Sequence, residues 1–82
     1  MQSYDLRVVI ADDEPITKMD LAEILTGVGY KIAAEASDGF DAVEACRKHH
    51  PDLVLLDVMM PRMDGWEVCR RIRARSRVPV IM

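Results

Sequence analysis

The segment Pro51-Asp52-Leu53-Val54-Leu55-Leu56-Asp57 carries four large apolar residues in a row and then an acid. No polar residue alternates among Leu53, Val54, Leu55 and Leu56, so a strand here is covered on both faces, as the strands of a parallel sheet are. An aspartate directly after such a run does not belong to the core. In open parallel sheets, ligands bind outside the carboxyl ends of the strands. Asp57 therefore stands where a site is expected.

Upstream, Leu6-Arg7-Val8-Val9-Ile10-Ala11 is short, apolar and β-branched, which predicts a first strand. Asp12, Asp13 and Glu14 follow, and then Pro15, which suits the first turn of a helix because its missing N–H costs nothing there. After Ile16, the residues Leu21, Ile24, Leu25 and Val28 have the spacing of one helix face, and Gly27 and Gly29 end the helix. Residues Tyr30 to Ala36 predict a second strand, and Ser37-Asp38-Gly39 a turn with capping residues. A second helix carries Phe40, Val43 and Cys46 or Arg47 along one side and stops before Pro51. Met59 to Gly65 reads as a loop. Trp66, Cys69 and Ile72 open a third helix, with Trp66 as its anchor, and Val78 to Met82 begins a fourth strand. Strands and helices alternate throughout, which predicts a parallel α/β sheet with right-handed crossovers.

The chain has 82 residues, half of them apolar and 30% charged, with a formal net charge of −3. Its length suits one domain. The net acidity argues against the whole chain acting as a nucleic-acid binder. No apolar run approaches the ~20 residues of a membrane span, and Met1 to Leu6 lack the apolar core of a signal peptide. Cys46 and Cys69 are too few and too far apart for a disulfide framework or a zinc site. They read as small packing residues in a reducing, cytoplasmic compartment.

Asp12 and Asp13 end the first strand and Asp57 ends the third. If these strands are neighbours, they lie about 4.8 Å apart and three carboxylates share one pocket. Charges that close repel one another, and a bound cation relieves the repulsion. Oxygen ligands select Mg²⁺, Mn²⁺ or Ca²⁺, and a few carboxylates completed by waters suit Mg²⁺ best. Glu14 is read as a cap of the first helix. A carboxylate beside such a cation can attack phosphorus and form an aspartyl phosphate. Asp57, alone on its strand, is the candidate nucleophile.

These residues together resemble the receiver domain of two-component response regulators. The resemblance rests on Ile10-Ala11-Asp12-Asp13-Glu14-Pro15, Ala36-Ser37-Asp38-Gly39, the segment from Pro51 to Asp57, Met60-Pro61 and Met63-Asp64-Gly65. Each is weak alone; in this order and spacing they are specific. The resemblance implies a flavodoxin-like, doubly wound sheet in the order 2-1-3-4. It implies that Asp57 accepts a phosphoryl group from a histidine kinase or phosphotransfer protein. It also implies that Mg²⁺ is ligated by Asp13, Asp57 and the backbone carbonyl of Met59, with Asp12 acting through water. Such a domain is not a metabolic enzyme: it transfers the phosphoryl group only onto itself.

The family continues through a fourth helix, a fifth strand and a fifth helix, with a hydroxyl after the fourth strand and a lysine that ends the fifth. No counterpart of these stands in residues 1–82, and Lys18, Lys31 and Lys48 do not match that lysine. The expectation is a receiver incomplete at its C-terminus, prone to self-association and impaired in phosphorylation. It would contact nucleic acid only through a downstream effector domain. A phosphate-independent interaction or dimerisation module with the same fold is the alternative. A Mg²⁺-dependent phosphohydrolase is disfavoured, since such enzymes carry a second acid two residues after the nucleophile and Met59 stands there. Arg70, Arg71, Arg73, Arg75 and Arg77 read as a solvated helix face, and His49-His50 as the end of the second helix rather than a metal site. Met59, Met60 and Met63 either pack over the third helix or offer an adaptable docking surface.

Overall fold

The computed structural model describes residues 6–57, 65–74 and 79–81. Along the chain run β1 (Arg7–Ala11), α1 (Pro15–Gly27), β2 (Lys31–Ala36), α2 (Gly39–His49), β3 (Leu53–Leu56), α3 (Gly65–Arg73) and β4 (Val80–Ile81). The strands form one parallel sheet in the order β2-β1-β3-β4. This is the doubly wound arrangement that the sequence predicts. No helix among the described residues is long and apolar enough to cross a membrane.

The register of β1 on β3 pairs Val8 with Leu53 and Ala11 with Leu56. It is tied at the start of the strands. Asp52 N–H donates to the Arg7 carbonyl at 2.7 Å, and the Asp52 carboxylate accepts from Arg7 N–H at 2.8 Å. The Arg7 guanidinium in turn donates to the His49 carbonyl at 2.5 Å, which holds the end of α2 against the start of β1.

Because side chains alternate across a strand, the register also sorts the core into two faces. Val9, Ala11, Ala36, Val54 and Leu56 join Ala42 and Cys46 of α2 and Val68 and Ile72 of α3 in one buried cluster. Val8 and Ile10 point the other way, where α1 crosses the sheet, and are wholly buried. On that same side Leu53 and Leu55 are half-buried, and Ile81 of β4 is exposed.

The inward faces of the helices differ in detail from the predicted ones. In α1, Lys18 is buried, with Leu21, Ala22 and Leu25 half-buried, while Ile24 (62% exposed) and Val28 lie outside. Successive residues stand about 100° apart around a helix, and positions 18, 21, 22 and 25 form the stripe turned to the sheet, with Ile24 and Val28 to one side of it. The Lys18 stem is covered by protein and its ammonium donates to the Ser37 hydroxyl at 2.5 Å, an instance of a long charged side chain burying its methylenes.

In α2 the same geometry turns Gly39, Ala42 and Cys46 inward and leaves Phe40 exposed. Its start is capped as the sequence predicts: the Asp38 carboxylate accepts from Asp41 N–H at 2.9 Å, a bond worth about 1 kcal/mol. Its end carries Arg47, Lys48 and His49 in the last turn, favourable against the negative end of the helix dipole. His50 closes it in the left-handed region at φ 48°, its N–H donating to the Cys46 carbonyl. In α3, Val68 and Ile72 are buried, whereas Trp66 is 66% exposed and does not anchor the helix. Arg70, Arg71 and Arg73 are exposed as expected; Arg75 and Arg77 lie outside the described residues.

Two outcomes follow from this packing. Leu56→Ala is expected to cost about 2–5 kcal/mol in urea unfolding, and Leu55→Ala distinctly less, because the two residues lie on oppositely covered faces of β3. Burial pushes the Cys46 thiol up to about 11, so it stays neutral where exposed thiols begin to ionise. Alkylation of the native protein at pH 8 is expected to label the partly exposed Cys69 well before Cys46, as peptide mass mapping would read.

Candidate metal centre

Two backbone bonds carry the sheet one residue past its strands. Asp57 N–H donates to the Ala11 carbonyl at 2.8 Å, and Asp12 N–H to the Ala36 carbonyl at 3.0 Å. The ladder therefore places Asp12 and Asp57 side by side at the carboxyl edge of adjacent strands. Asp13 follows where the chain turns towards α1. One carboxylate oxygen from each of Asp12, Asp13 and Asp57 lies within 4.8 Å of the others. The predicted trio is thus brought together. Asp12 and Asp57 are half-buried and Asp13 is exposed.

Asp12 is oriented by its own turn, its Oδ1 accepting from Glu14 N–H at 2.9 Å. That bond uses a backbone donor at the start of α1. Glu14 occupies the N-cap position in extended backbone, but its side chain makes no capping bond. The expected capping role of the Glu14 side chain is therefore not observed; Asp12 supplies the carboxylate at this turn.

A cavity of about 470 Å³ opens beside the acids. Asp12, Glu14 and Asp57 meet Thr17 and Leu21 of α1, with Leu55 and Ile81 of the sheet lining the rest. Acidic oxygens thus border an apolar surface. Thr17 was not among the predicted site residues. The signal for it is its place in the first turn of the helix that opens directly after the acids, on the side turned to β3. Met59, expected to lend its backbone carbonyl, lies outside the described residues, as do Met60 and Met63.

The donor set fits a hard divalent cation. Three carboxylates from two adjacent strand ends converge, and neither histidine nor cysteine belongs to the group. All-oxygen donation favours Mg²⁺, Mn²⁺ or Ca²⁺ over softer metals. His49 and His50 end α2 at the opposite edge of the sheet, where His50 caps the helix.

Comparison with known proteins sets this geometry in context. A family profile described as the response regulator receiver domain matches residues 8–82. The transcriptional regulatory protein PdtaR of Mycobacterium tuberculosis is 47% identical over 76 residues, covering 93% of this chain and 37% of its own length. The DNA-binding response regulator MtrA of Mycolicibacterium smegmatis is 43% identical over 82 residues, covering 100% of this chain and 36% of its own. This chain thus spans little more than a third of these curated relatives. Among solved structures, a chain of the CheX–CheY–BeF3–Mg²⁺ complex from Borrelia burgdorferi superposes with a TM-score of 0.90 at 36% identity, covering 94% of this chain and 60% of that one.

Titration with Mg²⁺, followed by amide NMR shifts, is expected to move Asp12, Asp13 and Asp57 saturably. Asp57→Asn removes one charged ligand, worth about 1.5–3 kcal/mol, and should weaken binding by roughly tenfold to a hundredfold. Equal affinity in the variant would remove Asp57 from the ligand set.

Proposed function

Because this chain belongs to the response regulator receiver domain family, we propose that it is the phosphoacceptor module of a two-component signalling pathway, with Asp57 as the acceptor. The observation that carries the reading is the convergence of Asp12, Asp13 and Asp57 at the carboxyl edge of β1 and β3. A phosphate-independent scaffold does not require such a cluster. Members of the family are signalling domains rather than classical enzymes. We read residues 1–82 as receiver-domain sequence.

In the proposed step, an Asp57 carboxylate oxygen attacks the phosphorus of a partner's phosphohistidine. The new O–P bond forms as the P–N bond breaks, and the imidazole leaves with the bonding pair. Asp57 is suited to this because its backbone is locked to Ala11, which fixes where the carboxylate emerges. Asp12 is oriented at that edge by the Glu14 N–H. A Mg²⁺ ion would be held directly by Asp13 and Asp57 and through water by Asp12, with the Met59 carbonyl as a further proposed ligand. When bound, it neutralises charge on the transferring phosphoryl oxygens. The Mg²⁺ named with CheY in the related complex supports that choice of cation.

The donor would be a histidine kinase or phosphotransfer protein, and any contact with nucleic acid would pass through an effector domain. The half-buried Leu53 and Leu55 and the exposed Ile81 would favour self-association. Two free cysteines are consistent with a cytoplasmic setting.

With Mg²⁺ and a small acyl phosphate donor, intact mass spectrometry is expected to find one added phosphoryl group. Hydroxylamine should remove it, as it cleaves acyl phosphates. Asp57→Asn should abolish the addition, and a chelator should suppress it. A hydroxylamine-stable adduct, or one that persists in Asp57→Asn, would overturn the assignment.

A further inference from the structure

The groove between the C-terminal halves of α2 and α3 has no part in the reading above. It encloses about 590 Å³ at the edge of the sheet opposite the acids. Its floor is apolar, made by Val43, Cys46 and Ile72, and its rim carries Arg47, His50 and Arg71. The volume lies in the range of pockets that take a ligand or an anchoring side chain. The Cys46 sulfur is buried and protonated at neutral pH, so it lines the floor as an apolar atom.

Charge is distributed unevenly over the molecule. Although the chain is net negative, Arg47 and Lys48 end α2 while Arg70, Arg71 and Arg73 end α3, all at the groove's end of the sheet. The acids at this end are Glu44, Glu67 and, at the start of β3, Asp52, whose carboxylate accepts from Arg7 N–H. Glu44 pairs with Arg47, and Glu67 pairs with Arg70 and Arg71. The two helix C-termini add about −0.5 charge each, which leaves the region positive. The Arg47 and Arg71 side chains remain more than half exposed. Their glutamate partners therefore orient the guanidiniums without hiding them, and a planar guanidinium can still take a second carboxylate.

We propose that this groove docks an acidic segment of a protein partner, with one apolar side chain on the floor of Val43, Cys46 and Ile72 and flanking carboxylates on Arg47 and Arg71. A nucleic acid matches the rim but has no aliphatic side chain for the floor. An uncharged apolar segment matches the floor but leaves the rim unanswered. Arginine beside an apolar pocket is the composition that anchors protein interfaces.

The test uses ¹⁵N-labelled protein and a synthetic amphipathic peptide with a central leucine flanked by glutamates. Saturable shifts are expected at Val43, Cys46 and Ile72. Affinity should fall at least about tenfold when alanine replaces the central leucine, when glutamines replace the glutamates, and in the double variant Arg47→Gln/Arg71→Gln. Ala74→Trp, which plugs the groove from an exposed lining position, should block binding while a dispersed spectrum reports an intact fold. Absence of saturation would overturn the proposal. So would equal binding of the alanine peptide, which would mean surface attraction only, or displacement of the peptide by single-stranded RNA at the same residues. If the double variant loses its fold, Ala74→Trp decides alone.

Discussion

The pairing of β1 with β3 is the constraint on which the rest depends. It is tied at one end by the reciprocal bonds of Arg7 and Asp52 and at the other by Asp57 N–H on the Ala11 carbonyl. Parallel strands cannot be joined by a tight turn, so this register is set by two chain segments that α1, β2 and α2 separate. A shift of one residue would turn Val54 and Leu56 out of the core and carry Asp57 away from Asp12. Core packing and site assembly are therefore enforced by one set of hydrogen bonds.

The uneven covering of the sheet follows from the same topology. Right-handed crossovers send α2 and α3 to one face and α1 to the other. The α2–α3 face accordingly holds the buried cluster of small and branched residues, while Leu53, Leu55 and Ile81 on the α1 side keep solvent contact. The two edges of the sheet are also chemically unlike. Its carboxyl edge gathers Asp12, Asp13 and Asp57, and the last turns of α2 and α3 gather most of the nearby cations. A chain of small net charge thus presents two regions of opposite sign at opposite edges of its sheet.

Much of this was legible in the residues. The unbroken run Leu53–Leu56 marked a two-sided strand, and the acids after two strands marked the edge where a site forms. Asp38 and His49-His50 marked both ends of α2. The inward faces of the helices were less legible. Ile24, Phe40 and Trp66 are apolar and well spaced, yet all three lie exposed. Periodicity identifies a stripe but not its orientation, and a stripe two residues wide has more than one way to meet a sheet. Lys18 was passed over because its type argues for exposure; its burial rests on the Ser37 hydroxyl, which comes from another element.

The sequence by itself determined the alternation of elements, the parallel class, and which acids could form a site, because these depend on local composition and on the order of segments along the chain. Only the tertiary structure decided that Asp12, Asp13 and Asp57 meet within 4.8 Å, that Asp12 rather than Glu14 supplies the carboxylate at the start of α1, and that Arg47 and Arg71 border a common groove. Each of these is a relation between segments distant in sequence or between competing partners for one donor. Such relations are settled when the sheet register and the helix orientations are fixed together.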